Sequence, residues 1–502
     1  MKRRIFFALG LVGLAISLIP VLSHDFISSP DLYNHMARAY VLANYDQTAW
    51  FRAFWLPHWA FVPNLALDVI AAVLLPWFSM AVVTKILLSL CFAGLAAGGA
   101  VLARVVHGRW SATSLLVILL LFNRSLMGGL VNYLLGIALC LFGTAAWIAL
   151  RDRPALWRGA VLCGFASVIC AVHLFAFGIL GCTIAGVELA ILYRRRAPWR
   201  AVLADLAVPA LAALPALALL VFAAPQGAGG GTLHFRSLVD RLTAFAVPLT
   251  YAAAAEAVGF ALIGVGLLLC WRSLQLRVDR RLAAGVALLV LIQLAMPDTI
   301  GVATGADHRI PIAIWILAIC ALDLRPTRAW VGAAFVAMVA AFGLARVGIV
   351  QQRWTADDRR YATLHRVLAD IPAGMKVATA YPSGVFNSVS APALALYFLP
   401  AWELVPRGAF TQTLWTKPSQ HPLLMQPKLR ALADATGPEE VWSLFVSSTP
   451  PADAPLIAAV GQYDYVVFLS TGPYVVTKTA MLDLVGEADG IALFKRRGMP
   501  TR

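Results

Sequence analysis

A short stretch near the N-terminus concentrates side chains that can move protons or hold charge. Residues 24–39 read HDFISSPDLYNHMARA and include Asp25, Asp31, His35 and Arg38, within a chain that is otherwise mostly apolar. A carboxylate at a membrane surface can deprotonate a hydroxyl group, and a nearby cation can stabilise a phosphate. Asp31 and Asp25 are therefore candidate general bases.

The spacing within this stretch predicts a helix that begins near Pro30 and runs to about Asn44. Asp31, His35 and Arg38 follow i, i+4, i+7 spacing and so share one face. The opposite edge is apolar and suited to lying on a membrane surface, with Leu32, Met36, Ala39 and Val41. A second interpretation is an interfacial helix whose aspartate only caps its N-terminus.

The composition indicates an integral membrane protein. Hydrophobic residues make up 61% of the chain, charged residues 13%, and the mean hydropathy is +0.79. Ordinary soluble domains are about 45–50% apolar and about 25% charged. The net charge of +15 does not indicate nucleic acid binding, because the basic excess lies among the apolar segments, as the positive-inside rule requires. The seven cysteines also lie in apolar segments, which argues against a disulfide framework.

Apolar runs bounded by charge predict about eleven transmembrane helices. An N-terminus in the cytoplasm places eighteen Lys and Arg residues inside and seven outside before residue 351, which supports this orientation. It also maps several aspartates to the external face, namely Asp25, Asp31, Asp46, Asp68, Asp240, Asp298 and Asp307. The predicted spans cover residues 5–21, 78–106, 111–122, 131–150, 157–171, 174–193, 201–224, 254–271, 282–296, 310–322 and 329–350.

The predicted fold is thus an all-α polytopic membrane domain followed by a small soluble α/β domain outside the cytoplasm. The membrane domain covers residues 1–350, and its first external loop, residues 24–77, carries the candidate bases. From residue 351 the pattern changes to short strands alternating with helices. Strands are predicted at 375–381, 463–469 and 490–494, and helices at 357–368, 426–435 and 439–444.

Two further polar clusters flank external turns. Asn132 and Tyr133 begin one predicted span, and His173 lies at the external junction of the next hairpin. A histidine in that position serves either a binding site or a local hydrogen bond. The run Asp307-His308-Arg309 begins the tenth predicted span. Its cation is placed to hold a phosphate at the lipid headgroup level, or the Asp and Arg simply close a loop.

These features resemble the GT-C glycosyltransferases, which are multi-spanning enzymes that take sugars from polyprenyl-phosphate donors. The resemblance rests on the first external loop, the many spans and three short segments: PDLYNHMARA (30–39), NYLLG (132–136) and HLFA (173–176). It implies that an acidic residue of the first loop is the catalytic base or binds the acceptor. Asp31 or Asp25 would occupy that place, and a divalent cation is a candidate cofactor.

The sequence therefore predicts an inverting glycosyltransferase of the bacterial inner membrane, with a polyprenyl-phosphate-sugar donor and a glycan, glycolipid or protein acceptor. Asp31 would be the base and His35 would orient it, with Asp25 as the alternative base. The predicted substrate-binding residues are Arg38, Asn132, Tyr133, His173, Asp307, His308 and Arg309. A transporter or lipid flippase, and a non-catalytic scaffold that presents the external domain, remain as alternatives.

Overall fold

The computed structural model describes residues 3–196, 198–222, 232–249, 251, 254–301, 305–384, 394–418, 420–446, 454–477 and 480–498. The α-helices within them are α1 (Arg3–Ser23), α2 (Pro30–Ala43), α3 (Ala49–Phe54), α4 (Ala66–Leu74), α5 (Met80–His107), α6 (Arg124–Gly128), α7 (Val131–Ala149), α8 (Ala155–Val172), α9 (Leu174–Arg195), α10 (Trp199–Phe222), α11 (Leu238–Thr243), α12 (Ala254–Leu269), α13 (Arg280–Ala295), α14 (Ile310–Ala321), α15 (Ala329–Leu368), α16 (Leu394–Leu404), α17 (Pro427–Ala435), α18 (Pro438–Val446) and α19 (Ala454–Val460). The strands are β1 (Trp55–Pro57), β2 (Thr232–His234), β3 (Leu274–Val278), β4 (Thr299–Gly301), β5 (Leu322–Pro326), β6 (Lys376–Ala380), β7 (Phe410–Thr411), β8 (Leu423–Met425), β9 (Tyr465–Leu469), β10 (Leu482–Ala488) and β11 (Ile491–Arg496).

Seven of the described helices are long and apolar enough to cross a membrane: α1, α5, α7, α8, α9, α10 and α15. Each coincides with one of the eleven predicted segments. Three more predicted segments contain the shorter helices α12, α13 and α14, of 16, 16 and 12 residues. The chain is therefore a multi-pass membrane protein, as its composition predicts.

The predicted third span, residues 111–122, has a different structure. It forms a 3-10 helix of 9 residues, Ala112–Leu120, instead of an α-helix. At about 2 Å of rise per residue this helix is about 18 Å long, whereas the hydrocarbon layer is about 30 Å thick. The segment alone therefore lacks the length of a transmembrane helix, although its apolar composition is correctly identified.

The described chain divides into two compact units that are not contiguous in sequence. The helical unit contains Met1–Ser23, Ala60–Ala66 and Lys85–Gln351. The sheet unit contains His24–Trp59, Leu67–Thr84 and Gln352–Arg502. Most of the first predicted external loop thus belongs to the same compact unit as the C-terminal region.

Within the helical unit, α9 and α13 approach closely because glycines face each other. A Cβ atom on Gly186 would lie 2.5 Å from the Cα atom of Gly285, so neither position accepts a side chain without movement. Small residues at such crossings let membrane helices pack through their backbones. An ion pair between Arg346 of α15 and Glu256 of α12, 2.6 Å apart, is buried in the same unit.

The sheet unit is built on a five-stranded mixed sheet with strand order β10-β11-β9-β6-β7. Strand β6 runs parallel to both β7 and β9, whereas β11 is antiparallel to β9 and β10. The predicted strands at 375–381, 463–469 and 490–494 are confirmed as β6, β9 and β11. The predicted helices are also confirmed, and the helix at 357–368 is the end of α15.

Helix α2 is buried in the core of the sheet unit. Ala37 and Val41 pack in one apolar cluster with Phe54 of α3 and Phe410 of β7. Strand β1 pairs with β8 in an antiparallel ladder that joins the first loop to the C-terminal region. The prediction that α2 lies on a membrane surface is wrong, because its apolar edge is fully covered by protein: Leu32, Met36, Ala39 and Val41 are each 0% exposed.

Substitution of Gly374 tests the packing of the apolar core of the sheet unit. Its backbone has a φ of +84°, and a Cβ atom there would lie 2.5 Å from Cζ2 of Trp50. We expect Gly374→Ala to lower the free energy of unfolding by about 1–3 kcal/mol through backbone strain and the displaced indole. Gly472→Ala is the matched control, since nothing lies within 4 Å of its added Cβ. Equal denaturation midpoints for both variants would contradict this account.

Candidate functional site

The polar face of α2 begins with Asp31. This residue lies in the first turn of α2, after Pro30, and its side chain is half-buried. The positive end of the helix dipole is at this turn, where it stabilises negative charge. Asn34, His35 and Arg38 follow on the same face, and all three are buried.

Arg38 is fully buried and forms an ion pair that the sequence analysis did not identify. Its Nε atom donates to Oδ1 of Asp68 at 2.9 Å, and its Nη2 atom donates to Oδ2 at 3.2 Å. Nδ1 of His35 lies 2.8 Å from the same Oδ2 atom. Asp68 belongs to α4 and is 0% exposed, so α2 and α4 are joined by a charged network without access to water.

The charges in this network are set by burial and by Arg38. Burial opposes ionisation of Asp68, but the Arg38 guanidinium outweighs it and holds the pKa of Asp68 below its usual range. Burial lowers the pKa of His35, although the Asp68 carboxylate opposes this effect. The network at neutral pH therefore contains a carboxylate, a guanidinium and a neutral imidazole.

A C-terminal segment completes the network. The backbone N–H of Trp415 donates to Oδ1 of Asn34 at 3.0 Å, and the Trp415 carbonyl accepts from Nη1 of Arg38 at 3.1 Å. His421 is buried nearby, and burial together with the Arg38 charge lowers its pKa well below the usual histidine value. Three separate parts of the chain thus meet at the polar face of α2.

This geometry changes the roles predicted for Arg38 and His35. Nε, Nη1 and Nη2 of Arg38 all have protein partners, and the side chain is 0% exposed. The predicted contact between Arg38 and a donor phosphate does not fit this burial, since the guanidinium instead joins α2 to α4 and to the segment at Trp415. The ring of His35 is directed to Asp68 and Arg38.

Asp25 lies outside this network, in the loop between α1 and α2, and its side chain is exposed. Its two neighbours are anchored to α15. Nε2 of His24 is 3.1 Å from Oγ1 of Thr355, and the N–H of Phe26 donates to Asp358 at 3.1 Å.

Within the helical unit, three of the predicted binding residues come together. The hydroxyl of Tyr133 donates to the backbone carbonyl of Arg309, and the ring of Tyr133 meets that of His173 edge to face at 5.2 Å. The guanidinium of Arg309 lies 4.8 Å above the ring of Phe175. Nδ1 of His173 accepts from the N–H of Phe175, so this histidine caps α9.

Asn132 anchors a short loop in the same unit. Its amide donates to the backbone carbonyl and to Oδ1 of Asn64, at 2.8 and 2.7 Å. Asn64 has a φ of +94°, a region that non-glycine residues seldom adopt. Its N–H in turn donates to the carbonyl of Ala171 at 3.2 Å. These contacts of Asn132 thus support a strained loop near the start of α9.

Asp307 and His308 belong to a cluster around Arg236. Nε of Arg236 lies 3.8 Å from Asp307 and 3.6 Å from Asp298, and Nη1 lies 2.8 Å from Nε2 of His308. Asp307 is 0% exposed, yet neither of its carboxylate oxygens has a hydrogen-bond partner in the described structure. The Arg236 guanidinium, 3.8 Å away, therefore balances the charge of this carboxylate.

In the part of the chain that the structure describes, no group of three or more His, Cys, Asp or Glu side chains is arranged to hold a metal ion. The sequence leaves the requirement for a divalent cation open. Two residues of the network that were not predicted as site residues did have a signal in the sequence. Asp68 is one of the aspartates mapped to the external face, and Asn34 lies within the segment 30–39. Trp415 and His421 had no such signal.

Asp68→Asn tests the buried ion pair. The substitution leaves the Arg38 cation buried without its counter-charge, and we expect the free energy of unfolding to fall by about 3–5 kcal/mol. Asp434→Asn is the control, because Asp434 forms an exposed pair with Arg430 at 2.9 Å and about 0–1 kcal/mol is expected there. Chemical denaturation of both variants measures the difference. Similar small losses would show that the pair contributes little.

The lowered histidine pKa values predict a loss of stability in mild acid. His35 and His421 resist protonation in the folded chain, whereas the unfolded chain takes up protons near the usual histidine pKa of about 6.5. The unfolded state then binds more protons, so the free energy of unfolding falls as the pH decreases through that range. Thermal unfolding at a series of pH values measures the slope, and His421→Gln should reduce it. A midpoint independent of pH would refute the assignment.

Comparison with solved structures shows that this chain shares its fold with a protein of known structure. The cryo-electron microscopy structure of the arabinofuranosyltransferase AftD from Mycobacteria aligns with 99% of this chain, at a TM-score of 0.50 and 14% identity. The chain spans 40% of the length of AftD. A crystal structure of ArnT from Cupriavidus metallidurans bound to undecaprenyl phosphate covers 98% of this chain and 97% of its own, at a TM-score of 0.47 and 13% identity. The sequence matches no protein-family model and no curated protein.

Proposed function

We propose that this chain is an inverting membrane glycosyltransferase that moves a sugar from a polyprenyl-phosphate donor to an acceptor outside the cytoplasm. The observation that carries the proposal is the half-buried carboxylate of Asp31 on a helix fixed by a buried charged network. A general base must be held within about 2.6–3.2 Å of the proton it removes, which requires a rigid support. The shared fold with AftD agrees with this proposal.

In the proposed reaction Asp31 removes the proton of the acceptor hydroxyl. The acceptor oxygen forms a bond to the anomeric carbon of the donor sugar while the bond from that carbon to the phosphate oxygen breaks. The configuration at the anomeric carbon inverts, and the lipid phosphate leaves with its negative charge. Arg38, Asp68 and His35 keep α2 in place during this step without contacting the reacting atoms.

The helical unit supplies candidate groups for the donor. Arg309 is half-buried, and its position over Phe175 leaves a cation near the start of α14 that can neutralise a phosphate. Asp307 is buried beside Arg236, so it would hold that guanidinium near the donor, and it would accept a hydrogen bond from a sugar hydroxyl only if this cluster opens. His308, Tyr133, His173 and Asn132 would hold these two residues and the adjoining loop in position.

An apolar cavity in the helical unit suits part of the lipid chain. It has a volume of about 210 Å³ and lies between α1, the 3-10 helix and α15. Its lining is apolar except for Ser17 and Arg346, and Arg346 is neutralised by Glu256. Burial of isoprene groups there would contribute to affinity through the hydrophobic effect.

The distribution of the basic residues supports one orientation in the membrane. We propose that the protein resides in a bacterial inner membrane, with its N-terminus in the cytoplasm and residues 351–502 forming a periplasmic domain. The acceptor would then be a component of the cell envelope.

The ion pairs inside the helical unit favour this function over transport. A transporter or flippase is expected to use charged residues within its spans as a pathway for ions or substrates. Here Arg346 is paired with Glu256, and Arg151 is paired with Glu188. These contacts neutralise the charges within the fold instead of leaving them to a substrate.

Asp31→Asn tests the proposed base because it keeps the size of the side chain and removes the proton acceptor. We expect loss of about 10²–10⁴-fold in transfer. The measurement is complementation of a deletion strain, followed by profiling of cell-envelope glycans for a missing sugar.

Asp25→Asn is the matched control, and it should retain the complete glycan, with insertion of both variants checked by immunoblotting. Loss of the sugar with Asp25→Asn alone would transfer the role to Asp25. An unchanged glycan profile in both variants would refute catalysis by this loop.

A further inference from the structure

Trp415 is an exposed aromatic residue on an unusually well-fixed backbone. Its side chain is 39% exposed, yet both its N–H and its carbonyl are bound by buried side chains of α2, Asn34 and Arg38. The indole meets the ring of Phe398 edge to face at 5.1 Å. Two buried polar side chains therefore fix the backbone that carries one exposed ring.

The residues after Trp415 extend this surface. Thr416 is buried, and its carbonyl accepts from Nη1 of Arg430 at 3.2 Å. Lys417 is exposed, and its N–H donates to Nδ1 of His421 at 2.9 Å. Trp415 and Lys417 are two residues apart in the chain, and both are exposed. The surface of the sheet unit therefore offers an aromatic ring on a fixed backbone and, two residues later, an exposed ammonium.

Trp50 provides a comparison of equal exposure within the same unit. Trp50 is also 39% exposed, but its ring stacks on Phe54 and covers Gly374. Trp50 therefore serves the packing of the sheet unit. For Trp415 the structure fixes the backbone and leaves a large part of the ring to solvent.

We propose that Trp415 and Lys417 form a binding site for the acceptor, and that the acceptor is a saccharide with a negatively charged group. The apolar C–H face of a sugar ring packs on an indole, and the ammonium of Lys417 would bind a carboxylate or a phosphate on the same sugar unit or its neighbour. A ring fixed before binding loses little conformational entropy when the sugar arrives. This inference rests on the proposed glycosyltransferase function.

The connection to α2 relates this site to the proposed base. Asn34 and Arg38, which hold Trp415, lie three and seven residues after Asp31 and so share its face of the helix. The same helix that presents Asp31 therefore fixes the indole. Any displacement of α2 would move the base and the sugar-binding ring together.

Binding of defined saccharides to the full-length protein in lipid nanodiscs tests this site. The probes are a glucose tetrasaccharide, the same tetrasaccharide with a terminal glucuronate, and the same tetrasaccharide with a terminal glucose 6-phosphate. The expected result is tighter binding of one or both charged probes by about tenfold, measured by titration calorimetry. The preferred charged probe distinguishes a carboxylate from a phosphate.

The variants separate the ring from the charge. Trp415→Ala should weaken binding of all probes by about fivefold or more, and Trp415→Phe should restore part of it. Lys417→Gln should abolish the preference for charge and leave the neutral probe unaffected. Trp50→Phe, the matched control, should lower the unfolding midpoint without changing the binding constants.

Asn34→Ala tests the fixed backbone, because it removes the acceptor for the Trp415 N–H. It should weaken binding less than Trp415→Ala does, and Asn34→Asp, which keeps the acceptor oxygen, should restore it. The inference is overturned if the wild-type protein binds no probe with a dissociation constant below about 10 mM, or if Trp415→Ala binds like the wild type.

Asp31→Asn distinguishes failure of this site from failure of the proposed function. It should bind the probes as the wild type does and lose the sugar in the glycan profile. An intact glycan in Asp31→Asn would remove the catalytic proposal and leave the saccharide site standing. If Asp31→Asn loses the glycan and the wild-type protein binds no probe, the saccharide site is removed and the catalytic proposal stands.

Discussion

The constraint on which the sheet unit depends is the burial of the Arg38 cation. Removing such a charge from water costs several kcal/mol, so the fold must provide a counter-charge and further acceptors. Asp68 supplies the charge, and the carbonyl of Trp415 supplies the remaining acceptor. These groups come from α2, α4 and the segment after β7. The three segments must therefore assemble together, although hundreds of residues separate the first from the last.

This constraint also explains why the C-terminal region cannot be understood alone. Strand β1 pairs with β8, and side chains of α2 and α3 belong to the same apolar core as the five-stranded sheet. A chain that lacked residues 24–59 would expose this core and leave the Trp415 backbone without Asn34 and Arg38. The first loop is thus an integral part of the sheet unit, and the position of Asp31 is determined by the C-terminal region as much as by α2.

Several features of the fold follow from sequence, and others do not, for physical reasons. Apolar runs and alternating residues correctly predicted seven long helices and the strands β6, β9 and β11. The apolar edge of α2 was assigned to a membrane surface because an amphipathic pattern is the same whether lipid or protein covers it. Likewise, i, i+4 spacing places His35 near Asp31 on the helix, but gives no information on Asp68, which is thirty-three residues away. Strand β10 and helix α16 were missed, and β10 has an irregular register at Gly486.

The polar character of the network has its own consequence for the proposed site. An apolar contact between α2 and the segment 414–421 would tolerate small shifts in register, because dispersion and burial depend weakly on direction. Hydrogen bonds from Asn34 and Arg38 to a single peptide group of Trp415 do not tolerate such shifts, since their strength depends on distance and angle. The network therefore fixes the register between α2 and the segment at Trp415, although its charged groups lose their hydration. A fixed register is useful if the Asp31 carboxylate and the Trp415 ring act on one substrate and must keep a constant separation. Stability alone does not require it, because apolar contacts would provide stability without desolvating charges.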